Sequence, residues 1–212
     1  MKRITLLVAM LLGAALAPAQ SPLPSAQKTG GLPLMDALAK RATSRAFDPA
    51  RDLPAQDLSN LLWAAFGINR SDGRRTAPSA RNFQETEIYV LTHAGASVYD
   101  AASHRLVPIG TEDIRALATM QAFAKDAPVT LVYVVDLARM GNGSREDRRL
   151  TAYLDVGFVA QNALLYCAST GLATGVRMMI DRTVLAPKLK LRDTQLIVLA
   201  QSVGYPKPDT QP

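Results

Sequence analysis

The chain has 212 residues, 48% hydrophobic and 20% charged, which excludes a disordered protein and leaves room for one domain with a sizeable core. Its net charge of +6 includes Lys2 and Arg3 of a leader-like start; the remaining mild bias suits an anionic ligand, but no aromatic residues interleave the cations as a nucleic-acid surface would require. Cys167 is the only cysteine, and His93 and His104 have no ligand-like neighbours, so an intramolecular disulfide and a His/Cys metal site are excluded.

The first residues, MKRITLLVAMLLGAALAPAQS, combine a basic start, an apolar run from Ile4 to Ala17 and the small residues Ala17-Pro18-Ala19. That is the pattern of a Sec-type signal peptide over 1–19 rather than a buried N-terminal helix. The run is shorter than the roughly 20 residues of a membrane span, and no cysteine follows it to carry a lipid. The reading is a periplasmic or secreted protein with no stable membrane anchor after cleavage. Residues 20–33, rich in Pro, Ser and Gly, form an extended arm, and 34–212 form one domain.

Within that domain, Leu34 to Ala42 predicts a short helix with Leu34, Met35 and Leu38 on one face. A stronger helix follows in LPAQDLSNLLWAAFG, capped by Asp52, with Pro54 in its first turn, Gly67 at its exit and Leu58, Leu61, Leu62, Ala65 and Phe66 buried. Residues 68–84 form a long polar loop. ETEIYVL and SVYD are paired strands, Thr111 to Met120 a helix, and APVTLVYVVD a central strand. GNGSREDRR is a charged loop. From Leu150 to Ser169 the chain is apolar nearly all round, which predicts a helix buried in the core or at a subunit contact. TQLIVLAQSVG is another central strand before a proline-rich tail. The irregular mixture of helices and strands, with no repeat, gives an α+β domain.

Three stretches carry chemistry. KRATSRAFD packs Lys40, Arg41 and Arg45 with the hydroxyls of Thr43 and Ser44, the donors a phosphate takes. A solvated basic turn explains the same residues. RTAPSARNFQ offers a Pro78 turn with Ser79, Asn82 and Gln84, which suit the polar edge of a planar heterocycle or simply a loop with turn chemistry. In GFVAQNALLYCASTGLATGV, Gln161 and Asn162 lie in a run too apolar for solvent, so their amides need a neighbouring element, a subunit or a ligand; Gly171 ends the helix in a left-handed cap. A serine hydrolase is excluded because no G-x-S-x-G occurs.

In this order the stretches resemble the nitroreductase superfamily of flavoproteins. RATSRAF resembles its R-x-S-x-R/K-x-F signature, APSARNFQ its PS-x-x-N-x-Q loop, QNALLYCASTGLATG its buried helix end, and VGYPK its C-terminal G-x-P stretch with a following cation. LLWAAFGINR and RRTAPSA further resemble the branch of thiazoline-oxidising enzymes of peptide tailoring. The resemblance implies a mixed, mostly antiparallel central sheet flanked by helices, and a homodimer with FMN between subunits. It places Arg41, Thr43, Arg45 and Lys207 on the phosphate and ribityl chain, Pro78, Ser79 and Asn82 beside the ring, and Gln121 at the pyrimidine edge. Val176, Arg177, Met178 and Met179 fall near flavin N5 and N1, with a main-chain N–H on N5 and the Arg177 cation beside the reduced ring. The implied activity is two-electron, ping-pong transfer to or from a small organic substrate; the alternative is an exported flavin-binding protein without turnover. Glu85-Thr86 replaces the family's usual Pro-Trp, and the chain ends shortly after Lys207, without the second basic residue often found there. Export also separates the protein from NADH and NADPH, and the leader lacks the paired arginines of folded export.

Overall fold

The computed structural model describes residues 21–208. The leader-like segment at 1–19 lies outside the described residues.

Seven strands form one sheet: β1 (Ser21–Pro22), β2 (Thr86–Thr92), β3 (Gly95–Asp100), β4 (Arg105–Gly110), β5 (Val129–Asp136), β6 (Ala173–Arg177) and β7 (Gln195–Gly204). Their order is β1-β4-β3-β2-β5-β7-β6, and every pairing is antiparallel. Four helices flank it: α1 (Leu34–Lys40), α2 (Ala55–Phe66), α3 (Arg145–Thr170) and α4 (Arg182–Lys188). The α+β architecture is as read from the sequence.

Strand β5 explains the layering. Its residues are buried throughout because both sheet faces are covered. Leu131, Tyr133 and Val135 point to the α2/α3 side, where Leu61, Leu62, Phe66, Val156 and Val159 pack. Val132 and Val134 point the other way, toward Ile114, Leu185 and Leu189. Period-two alternation thus builds two cores from one strand.

Several local expectations change. Helix α2 begins at Ala55 with Pro54 at the N-cap and no side-chain cap. Asp52 sits too early because the residue before a proline is held extended. The helix expected over Thr111–Met120 is reduced to a 3-10 turn at Arg115–Ala118. Asp113 accepts from Arg115 N and Thr119 Oγ1 from Gln121 N, local bonds that compete with helix. The charged loop ends at Ser144, which caps α3 by accepting from Asp147 N at 3.0 Å while Asp147 accepts its hydroxyl, so GNGSREDRR supplies the helix's first turn. Strands β4 and β6 and helix α4 were not anticipated.

Helix α3 is buried on one side only. Ala152, Val156, Val159, Ala163 and Cys167 are in the core, whereas Leu150, Leu154 and Phe158 are 61%, 62% and 49% exposed. Spacings of four residues make these three a stripe. Leu34, Met35 and Leu38 of α1, which packs on α3, are also exposed. Of the two amides, half-buried Asn162 donates to Ala65 O of the neighbouring helix α2 at 3.5 Å, one of the partners expected for it, and Gln161 is exposed. Gly171 closes α3 with φ 74°, the left-handed cap anticipated for it.

Candidate functional site

Residues 41–46 have no regular secondary structure between the end of α1 and Phe47, and Arg41 itself is extended, with φ −60° and ψ 115°. Arg41, Thr43 and Arg45 line one groove. The segment is held from both ends. Ser44 N donates to Thr174 O on β6 at 2.8 Å, and buried Phe47 packs with Ala127 and Ala173 and bridges to Pro206. Gly175 allows this approach: a Cβ there would lie 2.9 Å from Ser44 O.

Between this segment and the C-terminal end of α3 lies a groove of about 940 Å³, lined by Lys40, Arg41, Thr43 and Arg45 on one wall and by Cys167, Gly171 and Thr174 on the other. Among the described residues no acidic side chain lines it. Neither Arg41 nor Arg45 forms an ion pair or side-chain hydrogen bond among the described residues. Lys207 follows Pro206 of the groove wall, and its N–H donates to Ala46 O at 3.4 Å. Beneath the groove a buried chain fixes the floor: Tyr133 OH donates to Gln201 Oε1 at 2.6 Å, and Gln201 Nε2 to Thr174 Oγ1 at 2.8 Å. Burial pushes the Cys167 thiol up to about 12, so it is a packing group and not a nucleophile.

An adjoining hollow shares Thr43, Ser44 and Arg45 and is completed by Gln121, Val176, Arg177, Met178 and Met179. Val176, Met178 and Met179 are 40%, 61% and 53% exposed beside it. Met120 N donates to Met179 O at 3.1 Å, which brings Gln121 into this wall. Arg177 is buried, donating Nε to Ala118 O at 3.2 Å and Nη1 to Ser202 Oγ at 2.6 Å, while Nη2 has no partner. With no carboxylate beside it, burial lowers its pKa to about 10, which still leaves it cationic at neutral pH.

Pro78, Ser79 and Asn82 are elsewhere. Their loop is tied to α3 by Ala80 N–H donating to Asp155 Oδ2 at 2.8 Å, whereas α3 reaches the groove at Ala168. Thirteen helical residues separate those points, about 20 Å at 1.5 Å per residue. Ser79 Oγ accepts from Gln84 N at 3.0 Å and Asn82 Oδ1 from Gln84 Nε2 at 3.0 Å. One chain therefore gathers Arg41, Thr43, Arg45, Gln121, Val176, Arg177, Met178 and Met179, with Lys207 at the margin. It leaves the 78–82 set apart. Gly175 and the buried pair Glu85 and Asp155 were not anticipated as site-building residues. The signals were Asp155, an acid in an apolar run, and Glu85, which departs from the pattern of the resemblance.

The α+β fold sets at its sheet edge a cationic groove with the charge-assisted donors that phosphate groups take. Residues 38–205 match the Nitroreductase family, and the chain belongs to it. A provisionally named nitroreductase of Methanocaldococcus jannaschii is 33% identical over 179 residues, covering 78% of this chain and 88% of that protein. The crystal structure of a provisionally named nitroreductase from Ralstonia eutropha superposes with a TM-score of 0.84 at 38% identity, over 89% of this chain and 90% of that one. A Staphylococcus epidermidis protein provisionally named NAD(P)H:FMN oxidoreductase shares the fold, with a TM-score of 0.66 at 16% identity over 89% and 94% of the two chains.

Proposed function

We propose that the protein is an FMN-dependent oxidoreductase acting on a small organic substrate in the cell envelope. The observation that carries this reading is the uncommitted pair Arg41 and Arg45, aligned with Thr43 along a groove free of acidic side chains. Charge-assisted donors of this kind hold a phosphomonoester at about 1.5–3 kcal/mol each. Arg177, buried with an unpartnered Nη2 and lining the neighbouring hollow, fits a ring whose reduced form is anionic. When bound, FMN supplies two-electron chemistry at its N5, with donor and acceptor using one slot in turn.

The site is completed by a second copy of the chain. The 78–82 loop is about 20 Å from the groove along α3, too far to reach the same flavin. Pairing of two α3 helices through Leu150, Leu154 and Phe158 would cover the exposed stripe. The leader-like residues support export, and export supports an electron donor other than free nicotinamide.

The test is the absorbance spectrum of purified protein, as isolated and after incubation with FMN. The expected protein is yellow, bleaches with dithionite and recovers with an acceptor. Yellow protein that no donor reduces would favour a flavin-binding module, and colourless protein that cannot be reconstituted would overturn the reading. Rapid NADPH turnover would overturn the proposal about the donor.

A further inference from the structure

We propose that Glu85 and Asp155 form a proton-operated latch that holds the loop at residues 79–84 against α3. Glu85 ends that loop immediately before β2 and is wholly buried, at 0% exposure. Neither of its carboxyl oxygens has a hydrogen-bond partner of good geometry. Asp155, 5% exposed, faces it from α3, and its Oδ2 takes the N–H of Ala80 from the same loop. Two carboxyls in one dry pocket cannot both ionise without strong repulsion. Asp155 takes the N–H of Ala80, whereas only its own backbone N–H favours the Glu85 anion, and burial outweighs it, so the proton resides on Glu85. Burial, reinforced by the Asp155 charge, pushes the Glu85 carboxyl up to about 7.

The surrounding cations do not neutralise the pair. Arg139, from the turn after β5, favours the Glu85 anion but donates to Gln84 O at 3.1 Å and to Glu87 Oε1 at 2.5 Å. Arg75 binds Gln84 Oε1 at 2.8 Å and Phe66 O at 3.0 Å. Arg148, two turns before Asp155 on α3, donates to Leu137 O at 3.0 Å. Asp136, whose N–H donates to Glu85 O, pairs with Arg192 at 2.6 Å.

The loop itself resists its own geometry. Arg81, Asn82 and Gln84 have φ of 50°, 58° and 49°, left-handed values that side-chain-bearing residues rarely adopt. Such backbone persists only while neighbouring bonds enforce it, and Ala80–Asp155 is the bond between this loop and the helix. With Glu85 protonated the pocket tolerates Asp155 where it stands. Ionisation of Glu85 sets a second negative charge beside it, so the carboxylates separate and the hold on Ala80 weakens. The loop is therefore closed below neutrality and loosened above it. Where the preceding proposal holds, the same loop borders a flavin in the partner, and FMN retention falls as pH rises.

The experiment follows the whole chain without ligand by NMR, with carboxyl-labelled glutamate and nitrogen-labelled backbone, from about pH 5.5 to about pH 8.5. Glu85 is expected to titrate near neutrality, and the exchange protection of the Ala80 amide, corrected for intrinsic rates, to fall roughly tenfold over the same range. Glu85→Gln should remove that pH dependence, and Asp155→Asn should move the Glu85 midpoint down. Glu85 titrating with ordinary carboxylates, or an unchanged pH profile of Ala80 in Glu85→Gln, would overturn the latch. If Glu85→Gln does not fold, the wild-type titration decides alone. FMN affinity measured in parallel separates the two proposals: a protein that binds no FMN while Ala80 still responds supports the latch and counts only against the flavin.

Discussion

The backbone N–H of Ser44 donates to the carbonyl oxygen of Thr174 at 2.8 Å, and this bond fastens the cationic segment to the edge of the sheet. Everything that Arg41, Thr43 and Arg45 do in common depends on it. Gly175, next along β6, allows the contact because it has no side chain. An added Cβ would meet Ser44 O at 2.9 Å and Thr43 Cγ2 at 3.3 Å. Relieving that overlap costs about 1–3 kcal/mol. Gly175→Val should therefore weaken FMN binding at least roughly tenfold, read by quenching of flavin fluorescence, with the far-UV circular dichroism of the fold retained. An unaltered dissociation constant would show that the segment is not held where ligand binding needs it.

Arg177 separates redox tuning from stability. Its guanidinium is buried with one nitrogen unpartnered, and burial lowers its pKa to about 10. Replacing such a cation by an apolar group of similar length is often neutral or stabilising. Arg177→Met is expected to unfold in urea no earlier than wild type, yet to lower the flavin midpoint potential by roughly 30 mV or more, since about 30 mV corresponds to 1.4 kcal/mol for a two-electron couple. An unshifted potential would remove Arg177 from the redox machinery.

The buried acid gives a pH profile with a defined sign. Folded Glu85 keeps its proton to about 7, whereas the unfolded side chain releases it near 4.5. Between those values the folded state binds more protons, so stability falls with rising pH and levels off above the folded value. Glu85→Gln should be more stable than wild type by roughly 1–3 kcal/mol at about pH 8 and nearly equal to it at about pH 5. Chemical denaturation at the two pH values measures this. A constant difference between the variants would mean that Glu85 does not titrate in the fold.

The exposed stripe on α3 predicts an assembly. Leu154→Glu puts a charge at the middle of Leu150, Leu154 and Phe158 without touching the buried side of the helix. Sedimentation should give a dimer for wild type and a monomer for the variant. Where a second copy supplies the 78–82 loop, flavin binding should fall as the dimer is lost. A Leu154→Glu protein that remained dimeric would place the contact elsewhere.

The periodicities in this chain are local signals, and they located what local forces build. Leu58, Leu61, Leu62, Ala65 and Phe66 recur at helical spacing and are buried in α2. VTLVYVVD is β-branched throughout and is the fully buried β5. Gly171 at the end of an apolar run is a left-handed cap. KRATSRAFD supplied the cations and hydroxyls, but a solvated turn explained them equally, and the groove they share is a tertiary result. Strand β6 had no such signature: ATGVR is short, and its pairing with β7 joins Thr174 to Val203 across the chain. Helix α3 looked uniformly apolar, and nothing in its composition distinguished the buried Val156 from the exposed Leu154.

The amino-acid order alone determined the kinds of groups available: two arginines and a hydroxyl at alternate positions, a polar Pro-Ser-Asn loop, and an acid, Asp155, embedded in an apolar run. Only the tertiary structure decided their company. It set Arg45 beside Val176 and Met178, kept the 78–82 loop at another part of α3, and sealed Glu85 against Asp155. Helix periodicity and strand alternation are properties of neighbouring residues, whereas the field around a carboxyl depends on which distant element closes over it.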